Sequence, residues 1–339
     1  MQQPPARVTI RDVAEQASVS VATVSKVINQ RYGVATGTAA RVRAVLSELG
    51  YEAGPVAQNL RRHRTNAIGV LVADVEPFST ELLKGAADAI RGSGYELVVC
   101  SAGGRCGDMA GWERRCLSRL GGTLVDGAVL VTPTVVDVQY GAPVVAVDPH
   151  TGTSGFPTVD VDNLRGARLA TEHLLDLGHR RIALLAGRAD LQSAELREQG
   201  YRKALAAAGG PRIDPLVRIG GYDAGLSRLA AHELLSGPQR PSAVFAANDI
   251  TAIATIEVAL ALGLRVPEDL SVVGFDNIPE SALCTPPLTT VNQPIRTMGE
   301  HAVEMLMRLI QAQPMEPTHL TLVTELVVRG STAPPQRAP

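Results

Sequence analysis

The feature that most constrains this chain is a change of hydrophobic period at residue 66. Before it, apolar residues recur at helical spacing. Ile10, Val13, Ala14 and Ala17 share one face, as do Val24, Val27 and Ile28, and then Val42, Val45, Leu46 and Leu49. After it, short apolar runs (Ile68–Ala73, Leu97–Ser101, Ala128–Val131, Val144–Val147) alternate with helical stretches. The series starts again at Ile182–Ala186, Ala243–Ala246 and Ser271–Phe275. Strands that alternate with helices predict parallel sheets covered on both faces. Two such series predict two similar lobes. An α/β body over 66–330 behind an all-α head is therefore expected. Its last strand signals lie near Leu320–Val328, and the tail at 331–339, STAPPQRAP, is expected to be disordered.

The head, residues 1–52, carries its own punctuation. Thr9-Ile10-Arg11-Asp12 is a T-x-x-D capping box that starts a helix at Ile10. A short break at Ser18–Val19 follows, Ser20 can cap a second helix, and a third stops at Gly50. Three short helices with so tight a first turn make a helix-turn-helix unit. Residues 53–65, AGPVAQNLRRHRT, have little to bury. Pro55 is suited to a first helical position, but the segment is too short to hold a helix alone in water, so it is a linker able to fold on a partner.

At 339 residues, two or three domains are expected. The net charge of −2 conceals an asymmetry: residues 1–64 hold nine Lys/Arg against four Asp/Glu, and the remainder holds 23 against 30. A basic head on an acidic body points the head at a polyanion. Cys100, Cys106, Cys116 and Cys284 have no metal-type spacing and no CxxC, as for reduced thiols. The opening MQQPPARVTIRD has no apolar run, and no stretch of membrane-spanning length is apolar, so a cytoplasmic location without membrane contact is expected. GxGxxG, GxxxxGK[ST], HExxH and GxSxG motifs are all missing, so neither enzyme chemistry nor a cofactor is expected. His179, at a helix end in LGHRR, is explained by capping or a dipole interaction.

The second helix carries the DNA-reading candidates. Val21, Ala22, Ser25, Lys26 and Asn29 lie on its outer face. A recognition helix presents its N-terminal residues to base edges. Val21 and Ala22 suit thymine methyls and Lys26 suits guanine, while Ser20, Thr23, Ser25 and Asn29 suit phosphates. Periodicity alone leaves open an amphipathic helix with a merely polar face.

Residues 8–29, VTIRDVAEQASVSVATVSKVIN, resemble the N-terminal signature of the lactose/galactose repressor (LacI/GalR) family. The resemblance continues through Leu49-Gly50-Tyr51, VAQNL and Ile68-Gly69-Val70. It returns at GHRRIALLAG (178–187), AAND (246–249), SVVGFDN (271–277) and PPLTTVNQP (286–294). It implies a two-lobed, periplasmic-binding-protein-like body and a homodimer on palindromic operator DNA. It also implies a small-molecule effector, of sugar type, held between the lobes. Val21, Ala22 and Lys26 then occupy base-reading positions, and Leu60 matches a leucine that wedges into the minor groove when the linker folds. Two departures stand out. Ala35 replaces the serine that usually caps the third helix, which Gly37 weakens further, and Ala53-Gly54-Pro55 replaces Pro-Asn before the linker helix.

Effector candidates should lie past the carboxyl ends of strands. Phe78, Asp148, Ser193, Arg197, Tyr222, Asn248 and Asp276 meet that test, and the resemblance adds Gln293. Arg197 could equally be a surface ion-pair partner. Asp249, Asp162 and Asn163 read as helix caps, and Trp112 as packing or interface. A transport-type binding protein would share the body but not the basic head. Control by a protein partner instead of a ligand is a further alternative.

Overall fold

A computed structural model describes residues 8–28, 32–49, 64–103, 111–121, 124–134, 142–150, 155–208 and 215–336. The chain divides into two compact units, one of residues 1–65 with 122–125 and the other of residues 66–121 and 126–339. In the first, α1 (Ile10–Gln16), α2 (Val21–Ile28) and α3 (Thr36–Glu48) enclose Val13, Ala17, Val24 and Val42, all fully buried. Asp12 closes the expected capping box, its Oδ2 accepting from Thr9 N (2.6 Å) and Thr9 Oγ1 (2.8 Å). The turn between α1 and α2 passes through Ser18 at φ 53°, and Arg41 Nε of α3 donates to Ala17 O at 3.2 Å to hold it. The third helix has Ala35 at its N-cap and no side-chain cap.

The second unit contains two six-stranded sheets of matching order. Its strands are β1 (Ala67–Val72), β2 (Glu96–Ser101), β3 (Gly127–Val131), β4 (Val144–Val147), β5 (Thr158–Val161), β6 (Ile182–Ala186), β7 (Leu216–Ile219), β8 (Ala243–Ala246), β9 (Ser271–Asp276), β10 (Thr289–Asn292), β11 (His319–Leu322) and β12 (Glu325–Val327). The N-lobe sheet runs β2-β1-β3-β4-β5-β11 and is wholly parallel. The C-lobe sheet runs β7-β6-β8-β9-β10-β12, with only β12 antiparallel. Every residue of β1 is buried, as expected for a strand with helices on both faces. The helices are α4 (Pro77–Ala89), α5 (Trp112–Leu120), α6 (Asn163–Asp176), α7 (Gln192–Ala207), α8 (Ala224–Leu235), α9 (Asp249–Ala261), α10 (Pro279–Leu283) and α11 (Ile295–Ile310).

The chain passes between the lobes three times. It leaves β5 for α6 at Asp162, returns from β10 to α11 at Gln293-Pro294, and leaves β11 for β12 at Val323-Thr324. Two crossings are tied together: Asp162 N donates to Leu322 O (3.0 Å) and Thr324 Oγ1 to Asp162 O (3.2 Å). In the N lobe, α4 and α11 pack at backbone distance, since a Cβ on Gly299 would sit 2.2 Å from Leu82 O.

The expected disorder from residue 331 does not hold for Ser331–Ala333. Ser331 is fully buried, its Oγ donating to Val272 O (2.6 Å) and accepting from Thr289 N (2.8 Å). Ala333 N donates to Ser271 Oγ at 3.0 Å. Composition suggested a solvated tail, whereas unpaired groups of β9 and β10 supply it with partners. His179 is likewise no simple helix-end residue. It is buried, takes Ser242 Oγ on Nδ1 (2.9 Å) and donates from Nε2 to Ala333 O (2.9 Å).

Candidate functional site

In the head, Ser20 Oγ accepts from Thr23 N at 3.1 Å and lies 2.9 Å from Thr23 Oγ1, so both hydroxyls serve the start of α2. The helix then presents Val21 (42% exposed), Ala22 and Lys26 outward, with Ser25 half-buried. These sit at i, i+1, i+4 and i+5, one stripe at the amino-terminal half of the helix. Asn29 and Leu60, with most of the linker, lie outside the described residues.

In the body, Arg197 of α7 is the organising group. It is 3% exposed, not a surface partner. Its Nε donates to Asn163 Oδ1 (2.8 Å), and its Nη1 donates to Ala247 O and reaches Asp276 Oδ1 at 3.5 Å. Its guanidinium stacks 3.7 Å from the ring centre of Phe275 and 5.8 Å from that of Tyr222. Gln293, at a lobe crossing, donates Nε2 to the same Asp276 oxygen at 2.6 Å, leaving Gln293 Oε1 buried without a hydrogen bond. The buried Tyr222 hydroxyl has no hydrogen bond of ordinary length, with Ser193 of α7 nearby. Tyr222 fits here because Gly187 faces it, where a Cβ would collide with the phenol ring at 2.2 Å.

Electrostatics concentrate at this place. Burial pushes the Asp276 carboxyl up to about 7 against the pull of Arg197, with Glu76 of the N lobe adding to the rise. Burial also raises Asp148, while Arg197 and Ser193 oppose it, and burial pushes the Tyr222 hydroxyl up to about 12. Five residues at or shortly past strand ends have positive φ: Thr132 (φ 47°), Asp148 (φ 46°), Tyr222 (φ 63°), Asp276 (φ 116°) and Asn277 (φ 58°). Such strain, on the order of 1–3 kcal/mol each, gathers where side chains must converge.

The structure thus brings Ser193, Arg197, Tyr222, Asp276 and Gln293 together, with Asp148 close enough to feel Arg197. Asn248 is buried beside them, but its Oδ1 caps α9 by accepting from Thr251 N at 2.9 Å. Phe78, half-buried, packs against the N-lobe core and makes no ring contact with Arg197. Two cap assignments change. Asp162 caps α6 through Arg165 N (2.9 Å), but Asn163 instead holds Arg197. Asp249 is no cap, since its buried carboxylate accepts from Ile278 N (2.9 Å) and the Thr290 hydroxyl. Asn163 and Phe275 are the members that sequence reasoning missed. Trp112 is buried, consistent with packing.

A helix-turn-helix unit joined to a two-lobed body, with a buried, polar, arginine-centred cluster past the strand ends, defines a ligand-responsive DNA-binding protein. Residues 9–53 match the model of bacterial regulatory proteins of the lacI family, and residues 171–332 that of a periplasmic binding protein-like domain. The ribose operon repressor of Escherichia coli (strain K12) is 36% identical over 333 residues, covering 95% of this chain and 99% of that one. CelR of Thermobifida fusca is 36% identical over 342 residues, covering 96% and 98%. Among solved structures, the lac repressor dimer bound to operator and the anti-inducer ONPF superposes with a TM-score of 0.79 at 31% identity, covering 97% of this chain and all of that one. The CelR–cellobiose complex superposes at 0.71 with 34% identity, covering 96% of this chain and all of that one. The chain belongs to the lacI family of bacterial regulatory proteins and is a DNA-binding transcriptional regulator. Among the described residues, no helix is long and apolar enough to cross a membrane.

Proposed function

We propose that this regulator works in the cytoplasm as a homodimer on a palindromic operator, and that a neutral sugar bound between its lobes sets its operator affinity. It does so by binding alone, without chemistry on the effector. The observation that carries this reading is the buried Arg197–Asp276–Gln293 cluster. Two nitrogens of its one guanidinium already donate to protein acceptors and the Asp148 and Asp276 carboxyls lie close by, which disfavours phosphate or carboxylate ligands. The carboxylates of Asp148 and Asp276, the Gln293 carbonyl oxygen and the Tyr222 hydroxyl suit the paired hydroxyls of a sugar. Ser193 and the Asn248 amide complete the polar wall, and Phe78 lies at the N-lobe side. In the head, Val21, Ala22 and Lys26 read bases, Ser20, Thr23, Ser25 and Asn29 meet phosphates, and Leu60 enters the minor groove. Ribose and cellobiose are bound by relatives of the same fold, which favours pentoses, hexoses and their glycosides as the first panel.

A thermal-shift screen with such a panel tests the reading. A sugar at about 100 times its Kd should stabilise the body by roughly 2.7 kcal/mol. Arg197→Ala should abolish that shift while operator affinity without sugar stays close to wild type. Absence of any shift across the panel, or loss of operator binding by a folded Arg197→Ala dimer, overturns it.

A further inference from the structure

Beyond the three chain crossings, the lobes touch at a place that the effector cluster does not use. Gln192 N, the first residue of α7, donates to His150 O, three residues past the carboxyl end of β4, at 2.9 Å. The His150 ring is buried at this seam. Its Nδ1 lies 3.6 Å from Asp190 Oδ2, on the C-lobe loop after β6, an ion-pair distance too long for a hydrogen bond. His150 N in turn donates to Pro133 O at 3.0 Å, locking the loops after β3 and β4 to each other. Behind it on α5, buried Glu113 accepts from Thr134 N (3.0 Å) and Thr134 Oγ1 (2.9 Å) through one oxygen, while its Oε2 has no partner. The seam therefore joins an N-lobe platform to the helix that carries Ser193 and Arg197.

We infer that His150 is a positioning residue, a latch that holds the lobes closed through its fit against Asp190 and Gln192 and lets go when its ring is protonated. The latch fixes Asp148 of the N lobe against Ser193 and Arg197 of the C lobe before any ligand arrives. The sign follows from the groups that face the ring. Burial and Arg188 disfavour its charged form, whereas Asp190 and Glu113 favour it, and the balance holds His150 below its ordinary range. Opening the seam returns the ring to water, so the open form binds the proton more tightly. Acid therefore opens the cleft and neutral pH closes it.

Hydrogen exchange at the Gln192 amide tests this on the full-length chain, without sugar or DNA, so the outcome is independent of the effector reading. After correction for intrinsic rates, protection at Gln192 should fall about tenfold from about pH 8 to about pH 5, on either side of the ordinary histidine pKa. The Asp162 amide at the crossing should keep its protection. His150→Gln, polar but unable to titrate, should remove the pH dependence, and His150→Ala should lower protection at both pH values. The latch is refuted by protection at Gln192 that does not respond to pH in the wild type. It is equally refuted by an unchanged pH response in His150→Gln, which decides the matter should His150→Ala fail to fold, or by a loss shared equally by Asp162.

Discussion

A guanidinium taken out of water needs acceptors to replace its hydration, and Arg197 finds them in Asn163, the Ala247 carbonyl and Asp276, with the Phe275 ring beneath. Asp276 is the less comfortable member, because burial pushes its carboxyl from the ordinary 3.8 up to about 7. Between those values the folded protein holds a proton that the unfolded chain releases. The proton count falls on unfolding, and the Asp276 contribution to stability declines as pH rises through that window. Asp276→Asn cannot release the proton. Melting temperatures followed from pH 4 to 7 should therefore converge at the acid end, with the wild type falling increasingly below the variant toward neutrality. Parallel curves would show that Asp276 is ionised throughout. Asp276 was legible from sequence because it closes a strand run, and Arg197 because it lies in the first turns of the helix after one, where open α/β sheets gather ligands. Phe275 was not, since an aromatic inside the run Ser271–Phe275 looks like any core residue. Asn163 was not either, because an Asn at a helix start ordinarily caps it.

Among the elements, α3 has a weak start. It begins at Ala35 without a side-chain cap and carries Gly37 in its first turn. Ala35→Ser should supply an acceptor for an unpaired amide and stabilise the head by about 1 kcal/mol, read as a rise in its melting temperature. No change would place the start of α3 elsewhere. Both α3 defects were visible in the sequence, as were β6 and β8, read to their terminal residues, because every residue of IALLA and of AVFA is apolar. The strands β5, β7 and β10 escaped notice. β5, TVDV, and β7, LVRI, each carry a charge within four residues, and three of the four residues of β10, TTVN, are polar. Its threonines are fully buried because Asp249 takes the Thr290 hydroxyl and Ser331 binds the Thr289 amide, and partners about 40 positions away leave no local signal. The docking of Ser331 was hidden for the same reason.

For the whole molecule, a reading head of three short helices needs a second copy to span a palindrome. Leu226 and Leu229, three apart on α8, are 54% and 71% exposed, and nearby Ile219 of β7 is 61% exposed. Apolar surface of this kind marks a partner face, and the two-fold mate proposed here is its natural occupant. Leu229→Lys should shift the protein toward monomer in sedimentation velocity and weaken operator binding toward that of a single head. A dimer that resists the change would move the interface elsewhere. The three lobe crossings carry a different consequence, one that concerns the ribosome. The N lobe is begun by β1 at Ala67, but its α11 and β11 are not encoded until Ile295–Ile310 and His319–Leu322, and the C lobe waits for β12 at Glu325–Val327. The N lobe cannot be finished until all of the C lobe except β12 has been translated. A nascent chain must therefore carry an incomplete N-lobe sheet, its β5 edge unpaired, through the synthesis of almost the entire C lobe.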